Sequence, residues 1–273
     1  MIWGYAGVWP GQFIRYPEQK LRSWVEFLVD WELQCTGVSV WELGALDPAD
    51  GLFDFLAEHD LHLTIGVGGI YFGERGEVAR KVDEALEIIR RFKDAARTPI
   101  ITGAVGRVHR FMRDPSLKQQ LDTLTKGLTP LASGCHEMGL GFGLENHGDY
   151  YCSDIVTLCG RVPNLSIFLD TGNCYLIGER VLPAVREAAP YTIGTHFKDH
   201  HVRPRPDTRP LSFEVAPAVL GDGDVGLREV YDILLQNAPN PESLVMEIEL
   251  IPPKDPRESL QESLTFIRSL PNP

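Results

Sequence analysis

At four points the chain places an acid or an imidazole directly after a short apolar run: Gly143-Leu144-Glu145, Phe168-Leu169-Asp170, Gly194-Thr195-His196 and Val245-Met246-Glu247. Carboxylate oxygens and an imidazole nitrogen are the donors that a hard or borderline divalent cation accepts. A single Glu in such a place usually reads as a salt-bridged rim residue. Repetition on successive runs changes that reading, because carboxylates that converge out of water repel one another unless a positive charge lies between them. Mn²⁺ suits three carboxylates and one imidazole best, with Mg²⁺, Co²⁺ and Zn²⁺ as alternatives. A cation of this kind polarises a carbonyl, and a neighbouring carboxylate can then remove or return a proton.

These residues need strands to carry them. Short apolar runs alternate with amphipathic stretches along the chain, the pattern of parallel βα units. The runs predict strands over Ile2–Gly7, Gly37–Leu43, His62–Val67, Ile100–Val105, Gly141–Asn146, Ser166–Asp170, Thr192–Lys198 and Leu244–Leu250. Several are apolar throughout, as strands buried on both faces are. Between them, Leu117, Leu121, Leu124, Leu128 and Leu131 recur at helical steps, with Gly139 where a C-terminal cap belongs. Ser153 and Asp154 open a further helix, Asp222 and Asp224 precede one running through Leu234, and the last runs from about Glu258 to Leu270. Eight βα units in 273 residues predict one α/β domain over residues 1–273, a (β/α)₈ TIM barrel. In that fold the polar strand ends meet at the C-terminal mouth, where barrel active sites are built. The proline-rich stretch His200–Pro217 is too long for a simple turn and is expected over that mouth.

Composition excludes other classes. A formal net charge of −12 opposes binding to nucleic acid. No apolar run approaches the roughly 20 residues that span a bilayer, so no membrane is expected. The start, Met1-Ile2-Trp3-Gly4-Tyr5, lacks a basic region and a cleavage pattern, so no secretory signal is expected, and a reducing cytoplasm is the default for unpaired, scattered cysteines. The five cysteines, Cys35, Cys135, Cys152, Cys159 and Cys174, contain no CxxC pair and support neither a disulfide framework nor a zinc-thiolate site. Cys152, Cys159 and Cys174 read as packing residues. No Walker motif or complete GxGxxG is present. A homo-oligomer is compatible with the sequence, which marks no interface.

The phrases GLENHGDYYCSD, LSIFLDTGN, GTHFKDH, LGDGDV and VMEIEL follow one another between Gly143 and Leu250. In order and spacing they resemble the sugar phosphate isomerase/epimerase superfamily, the xylose-isomerase-like TIM barrels that include ketose 3-epimerases and inosose dehydratases. The resemblance covers nearly the whole chain and speaks strongly for fold and metal site, weakly for substrate. It implies that Glu145, Asp170, His196 and Glu247 are metal ligands, and that Glu145 and Glu247 are also the catalytic acid–base pair. One departure stands at Asn173, where ketose 3-epimerases carry a histidine. The change speaks against a trinuclear nuclease arrangement and against a ketose 3-epimerase proper.

Other residues are candidates for substrate contact, each with a plainer structural reading. Lys198 shares the face of His196 and could hold a hydroxyl, carboxylate or phosphate, or pair with an acid. Glu42, at the end of the second predicted strand, could accept from a sugar hydroxyl. His109, after the fourth, could face the pocket, although a lone His there is more often structural. Asn173 lies three residues past Asp170. Arg203, with Arg205 and Arg209, could bind an anion or close a lid, the plainer reading being a solvated loop. Trp3, Tyr5, Trp9 and Tyr71 could wall a sugar ring or belong to the core. Glu249 shares the face of Glu247 and rivals it as ligand.

The leading reading is a divalent-metal-dependent isomerase or epimerase of a sugar, keto-sugar or related polyol, a small carbohydrate. The proton next to a carbonyl is abstracted through a metal-bound enediolate. A lyase shares that first step: an inosose-type dehydratase or an enzyme cleaving 3-keto-glycosides. A non-catalytic barrel that binds a sugar or a partner protein is the reading from another class.

Overall fold

The computed structural model describes residues 1–7, 9, 16–106, 108–206, 209 and 212–273. The strands are β1 (Ile2–Tyr5), β2 (Cys35–Ser39), β3 (His62–Gly68), β4 (Ile100–Ala104), β5 (Gly141–Glu145), β6 (Leu165–Asp170), β7 (Thr192–Phe197), β8 (His200–Pro204), β9 (Phe213–Pro217) and β10 (Val245–Ile248). Eight of them close into a parallel barrel in the order β1-β10-β7-β6-β5-β4-β3-β2, and β8 pairs antiparallel with β9. The helices are α1 (Pro17–Asp30), α2 (Val40–Gly44), α3 (Gly51–Glu58), α4 (Arg75–Phe92), α5 (Leu117–Glu137), α6 (Cys152–Cys159), α7 (Asn173–Leu176), α8 (Val181–Ala188), α9 (Leu227–Asn237) and α10 (Pro256–Arg268). The fold is the (β/α)₈ TIM barrel expected from the alternation of apolar and amphipathic segments.

The main core lies between strands and helices. Leu63, Ile65, Ile101 and Leu144 from the strands meet Leu28, Leu56, Ile89, Leu128 and Ile155 from the helices, all fully buried. Inside the barrel a smaller cluster of Cys35, Ile100, Phe168 and Val245 closes the N-terminal end. The next inward residue on β6, β7 and β10, two positions later, is Asp170, His196 and Glu247. Asp170 pairs in register with His196, and His196 with Glu247.

Two features differ from the sequence reading. Strand β2 stops at Ser39, and the residues expected to prolong it form α2. The Ser39 side chain accepts from the Trp41 amide, capping that helix. Glu42 is therefore a helical residue rather than a strand end. The His200–Pro217 stretch contains a β-hairpin, with His200 opposite Pro217 and Pro204 opposite Phe213.

The hairpin is tied to the loop before α9 by Asp199. Its carboxylate accepts from the amides of His200 (2.9 Å), Gly221 (2.9 Å), Gly223 (3.1 Å) and Val225 (3.2 Å). A Cβ on Gly223 would lie 2.1 Å from Asp199 Oδ1, so this loop needs glycine there. That contact gives the LGDGDV phrase its structural meaning. Among the described residues, no helix is long and apolar enough to cross a membrane.

Candidate active site

Glu145, Asp170, His196 and Glu249 each bring one ligand-capable atom within 4.8 Å of all the others. His196 Nδ1 lies 3.1 Å from Glu145 Oε1 and 3.3 Å from Glu249 Oε2. Its other nitrogen, Nε2, lies 3.4 Å from Glu247 Oε2. Glu249, the rival read from the sequence for the fourth ligand, joins the ligand-capable group, and Glu247 meets the other nitrogen of the imidazole. Both reach the imidazole because residues two apart in an extended chain share a face. Phe168 packs edge-on against the His196 ring at 4.7 Å and holds its plane.

Each donor is positioned by its neighbours. Asn146 clamps Asp170 through both backbone groups, accepting from its amide at 2.7 Å and donating to its carbonyl at 2.9 Å. Asp170 Oδ1 accepts from the amides of Gly172 (2.8 Å) and Asn173 (2.9 Å), which leaves Oδ2 toward the cluster. Lys198 Nζ donates to Glu249 at 2.8 Å and, at 3.4 Å each, to Asp170 Oδ2 and Asn173 Oδ1. Glu247 Oε1 accepts from the Thr64 hydroxyl at 2.6 Å.

The electrostatics follow from crowding. Burial pushes the Asp170 carboxyl well above the usual carboxylate range, against the pull of the Lys198 ammonium. Burial also works against a charged His196, yet Glu145 and the other surrounding carboxylates hold that imidazole well above its ordinary value. Glu249 would be raised by burial too, but His196 and Lys198 bring it below normal. For Lys198, burial lowers and Asp170 with Glu249 raises, the net being upward. A buried Asp170 at 0% exposure beside two further carboxylates is a poor arrangement for acids alone. Three carboxylates and one imidazole nitrogen fit a hard-to-borderline divalent cation. A metal-bound histidine usually donates its other ring nitrogen to a carboxylate, the position Glu247 occupies.

The cluster borders a cavity of about 470 Å³, a size typical of small-molecule sites. Glu145, His196 and Glu247 form one wall. The opposite wall comes from β2, β3 and β4 and is made of small residues, among them Gly37, Thr64, Gly66, Gly68 and Thr102. A Cβ on Gly37 or Gly66 would meet nothing closer than 3.5 Å, so the missing side chains create space rather than relieve a clash. Trp24 and Trp41 line the rim together with Lys20, which pairs with Glu42 at 2.9 Å.

The other sequence candidates divide. Asn173 lies beside Lys198 in the site. Glu42 is bound to Lys20 at the rim rather than inside. His109 is exposed, stacks near Phe111 and does not line the cavity. Arg203 and Arg205 are exposed on or beside the hairpin and lie outside the lining. The aromatic candidates pack away from the cavity. Trp3 packs on Phe197 and Tyr231, Tyr5 on Trp24 and Phe27, and Trp9 on Phe27, while Tyr71 is buried with its hydroxyl donating to the Val67 carbonyl. Trp24, Trp41 and Thr64 were not anticipated, because two are helix residues whose position depends on tertiary packing. Glu249 carried a readable signal, its two-residue offset from Glu247.

None of the curated proteins with which the sequence was compared matches it. Among solved structures, a xylose isomerase-like TIM barrel protein from Mycobacterium smegmatis in complex with magnesium superposes with a TM-score of 0.71 at 15% identity, over 97% of this chain and 95% of that one. The 3-keto-D-glucoside 4-epimerase from E. coli gives 0.69 at 14% identity, over 98% and 99%. D-allulose 3-epimerase from Methylomonas sp., in complex with D-allulose, gives 0.68 at 14% identity, over 98% and 96%. At such identities the likeness is one of fold. The family profile described as xylose isomerase-like TIM barrel matches residues 25–270, and the chain belongs to that family.

Proposed function

We propose that this protein is a divalent-metal-dependent isomerase or epimerase of a sugar, keto-sugar or related polyol. The observation that carries the reading is the crowding of Glu145, Asp170, His196 and Glu249 at the edge of a hydroxyl-lined cavity into which Glu247 also faces. In this reading those four residues hold the cation, with Mn²⁺ preferred, Mg²⁺ the ion in one structural relative, and Co²⁺ or Zn²⁺ as alternatives. When bound, the cation would supply the positive charge that steadies negative charge developing on a carbonyl oxygen.

The chain's own groups would do the rest. Glu247, at 1% exposure and oriented by the Thr64 hydroxyl, is placed to take a proton from a carbon in the cavity. Glu145, on the same wall, is the partner that returns a proton at a second position or face. Lys198 and Asn173 hold Asp170 and Glu249 in place and could also meet a substrate hydroxyl at the mouth. The relatives whose names mention 3-keto-D-glucoside and D-allulose support a carbohydrate substrate.

Metal binding and turnover separate the roles. Glu249→Gln is expected to weaken Mn²⁺ affinity more than tenfold. Glu247→Gln is expected to keep that affinity within a few-fold while cutting proton exchange from keto-sugars by roughly 10²-fold or more. Chelation should abolish turnover and Mn²⁺ restore it. Full activity after exhaustive chelation, or in Glu247→Gln, overturns the reading. A change in product mass would move the assignment to a lyase with the same first step.

A further inference from the structure

A second group of ligand-capable side chains lies behind the candidate active site, where no step of the proposed reaction uses it. Cys152 opens α6, Cys174 lies in α7, and Glu179 follows the turn after α7. The two sulfurs are 3.9 Å apart, and one Glu179 oxygen lies within 4.8 Å of both. Both thiols are buried, at 1% and 0% exposure. The chain folds back to bring the carboxylate there: Gly178 takes a φ of 72°, and the Glu179 amide donates to the Cys174 carbonyl at 2.9 Å. The Glu179 carboxylate also receives the Cys152 amide at 3.1 and 3.2 Å, which fixes its orientation.

We propose that Cys152, Cys174 and Glu179 form a cation site distinct from the barrel-mouth cluster, for a soft or borderline divalent ion of the zinc–cadmium class. The sulfur separation suits an ion held between the two thiols. Tetrahedral coordination with bonds of about 2.3 Å requires sulfurs about 3.8 Å apart, whereas a disulfide requires about 2.05 Å. The donor set favours a different ion from the mouth, since thiolates select softer metals than carboxylates do. Without the ion, the Cys152 thiol is raised by its hydrogen bond with Cys174 and by burial, and burial raises Glu179. A cysteine thiol carries its proton at neutral pH, so uptake is an exchange: one divalent ion enters, two S–H bonds break, two metal–sulfur bonds form and two protons leave. No oxidant is involved. The ion would tie the start of α6 to the turn after α7, and through Cys174 it would lie close to Asn146, whose Nδ2 is 3.9 Å from that sulfur.

The test is titration of the whole reduced protein with Cd²⁺ in excess Mg²⁺, so that only sulfur ligation gives the thiolate-to-cadmium absorption band. The expected result is one band saturating at one ion per chain, with two protons released. Cys152→Ser or Cys174→Ser should lower the affinity at least hundredfold, Glu179→Gln about tenfold, and Cys35→Ser not at all. A variant that does not fold is replaced by its alanine counterpart, Cys152→Ala or Cys174→Ala, in which the band should be lost equally. No band at millimolar Cd²⁺, a band that survives both serine variants, or a mass two hydrogens lighter with no ion uptake each overturn the site.

Discussion

His196 sits between two acid environments, and its two nitrogens divide them: Nδ1 faces Glu145 and Glu249, and Nε2 faces Glu247. In the proposed function that division gives Glu247 and Glu249 different work, a distinction that composition and spacing do not make, because residues two apart in an extended chain share a face. A separate acid, Asp149, makes a measurable prediction. Both of its oxygens are buried, and burial pushes its carboxyl up to about 6 although the nearby backbone amides of Asp149, Tyr150 and Gly106 and the His147 side chain pull the other way. The folded state thus holds this proton more tightly than the unfolded chain, whose carboxyl titrates near 3.9. Its contribution to stability is fully present below about pH 4 and is lost as pH rises through about 6. Asp149→Asn should therefore match the wild type in thermal denaturation near pH 4. At pH 8 it should be more stable, by at most roughly 3 kcal/mol. A stability difference that does not change with pH would show that the carboxyl is not the source. The four positions flagged from sequence were legible at this scale because each polar residue ends an apolar run. His109 was not, because a strand ending does not say which way the following loop turns.

At the scale of elements, the barrel's two sides are built differently. Strands β5, β6, β7 and β10 carry the polar donors above Phe168 and Val245, whereas β2, β3 and β4 carry glycine and threonine inward. Barrel interiors are ordinarily filled by branched side chains, so this hollow needs a purpose. Gly66→Val should fill it: a Cβ there is tolerated at 3.5 Å from Thr102 Oγ1, and the two methyls beyond it project into the cavity. The expected outcome is a rise in KM of tenfold or more, with Mn²⁺ affinity and thermal stability nearly unchanged. Unchanged KM would show that substrate does not use this side. The strands themselves were legible from apolar runs, with one error at β2. Val40-Trp41-Glu42-Leu43 reads as a strand by composition, yet the Ser39 cap turns it into a short helix whose Trp41 reaches the rim. The hairpin of β8 and β9 was recognisable only as an oversized connection, since its prolines hide the pairing.

For the whole molecule, the alternation of runs was enough to reach the closed barrel, because right-handed βα units of this number have few other ways to bury both faces of a parallel sheet. The chain carries a net charge of −12 and gathers acids at its mouth, so the folded state is under electrostatic self-repulsion. A cation bound only by the folded form should stabilise it by mass action. At a hundredfold excess over Kd, Mn²⁺ is expected to add about 2.7 kcal/mol, a rise in Tm of several degrees that Glu249→Gln cuts by about half or more. A melting curve indifferent to Mn²⁺ would count against the cluster as a cation site. The uneven chamber has one more consequence. A guest lying across it is inspected closely at the end beneath the carboxylates and hardly at all at the end that rests on glycines. Such an enzyme would demand one stereochemistry where bonds are made and broken, and would accept guests of differing length and decoration at the far end.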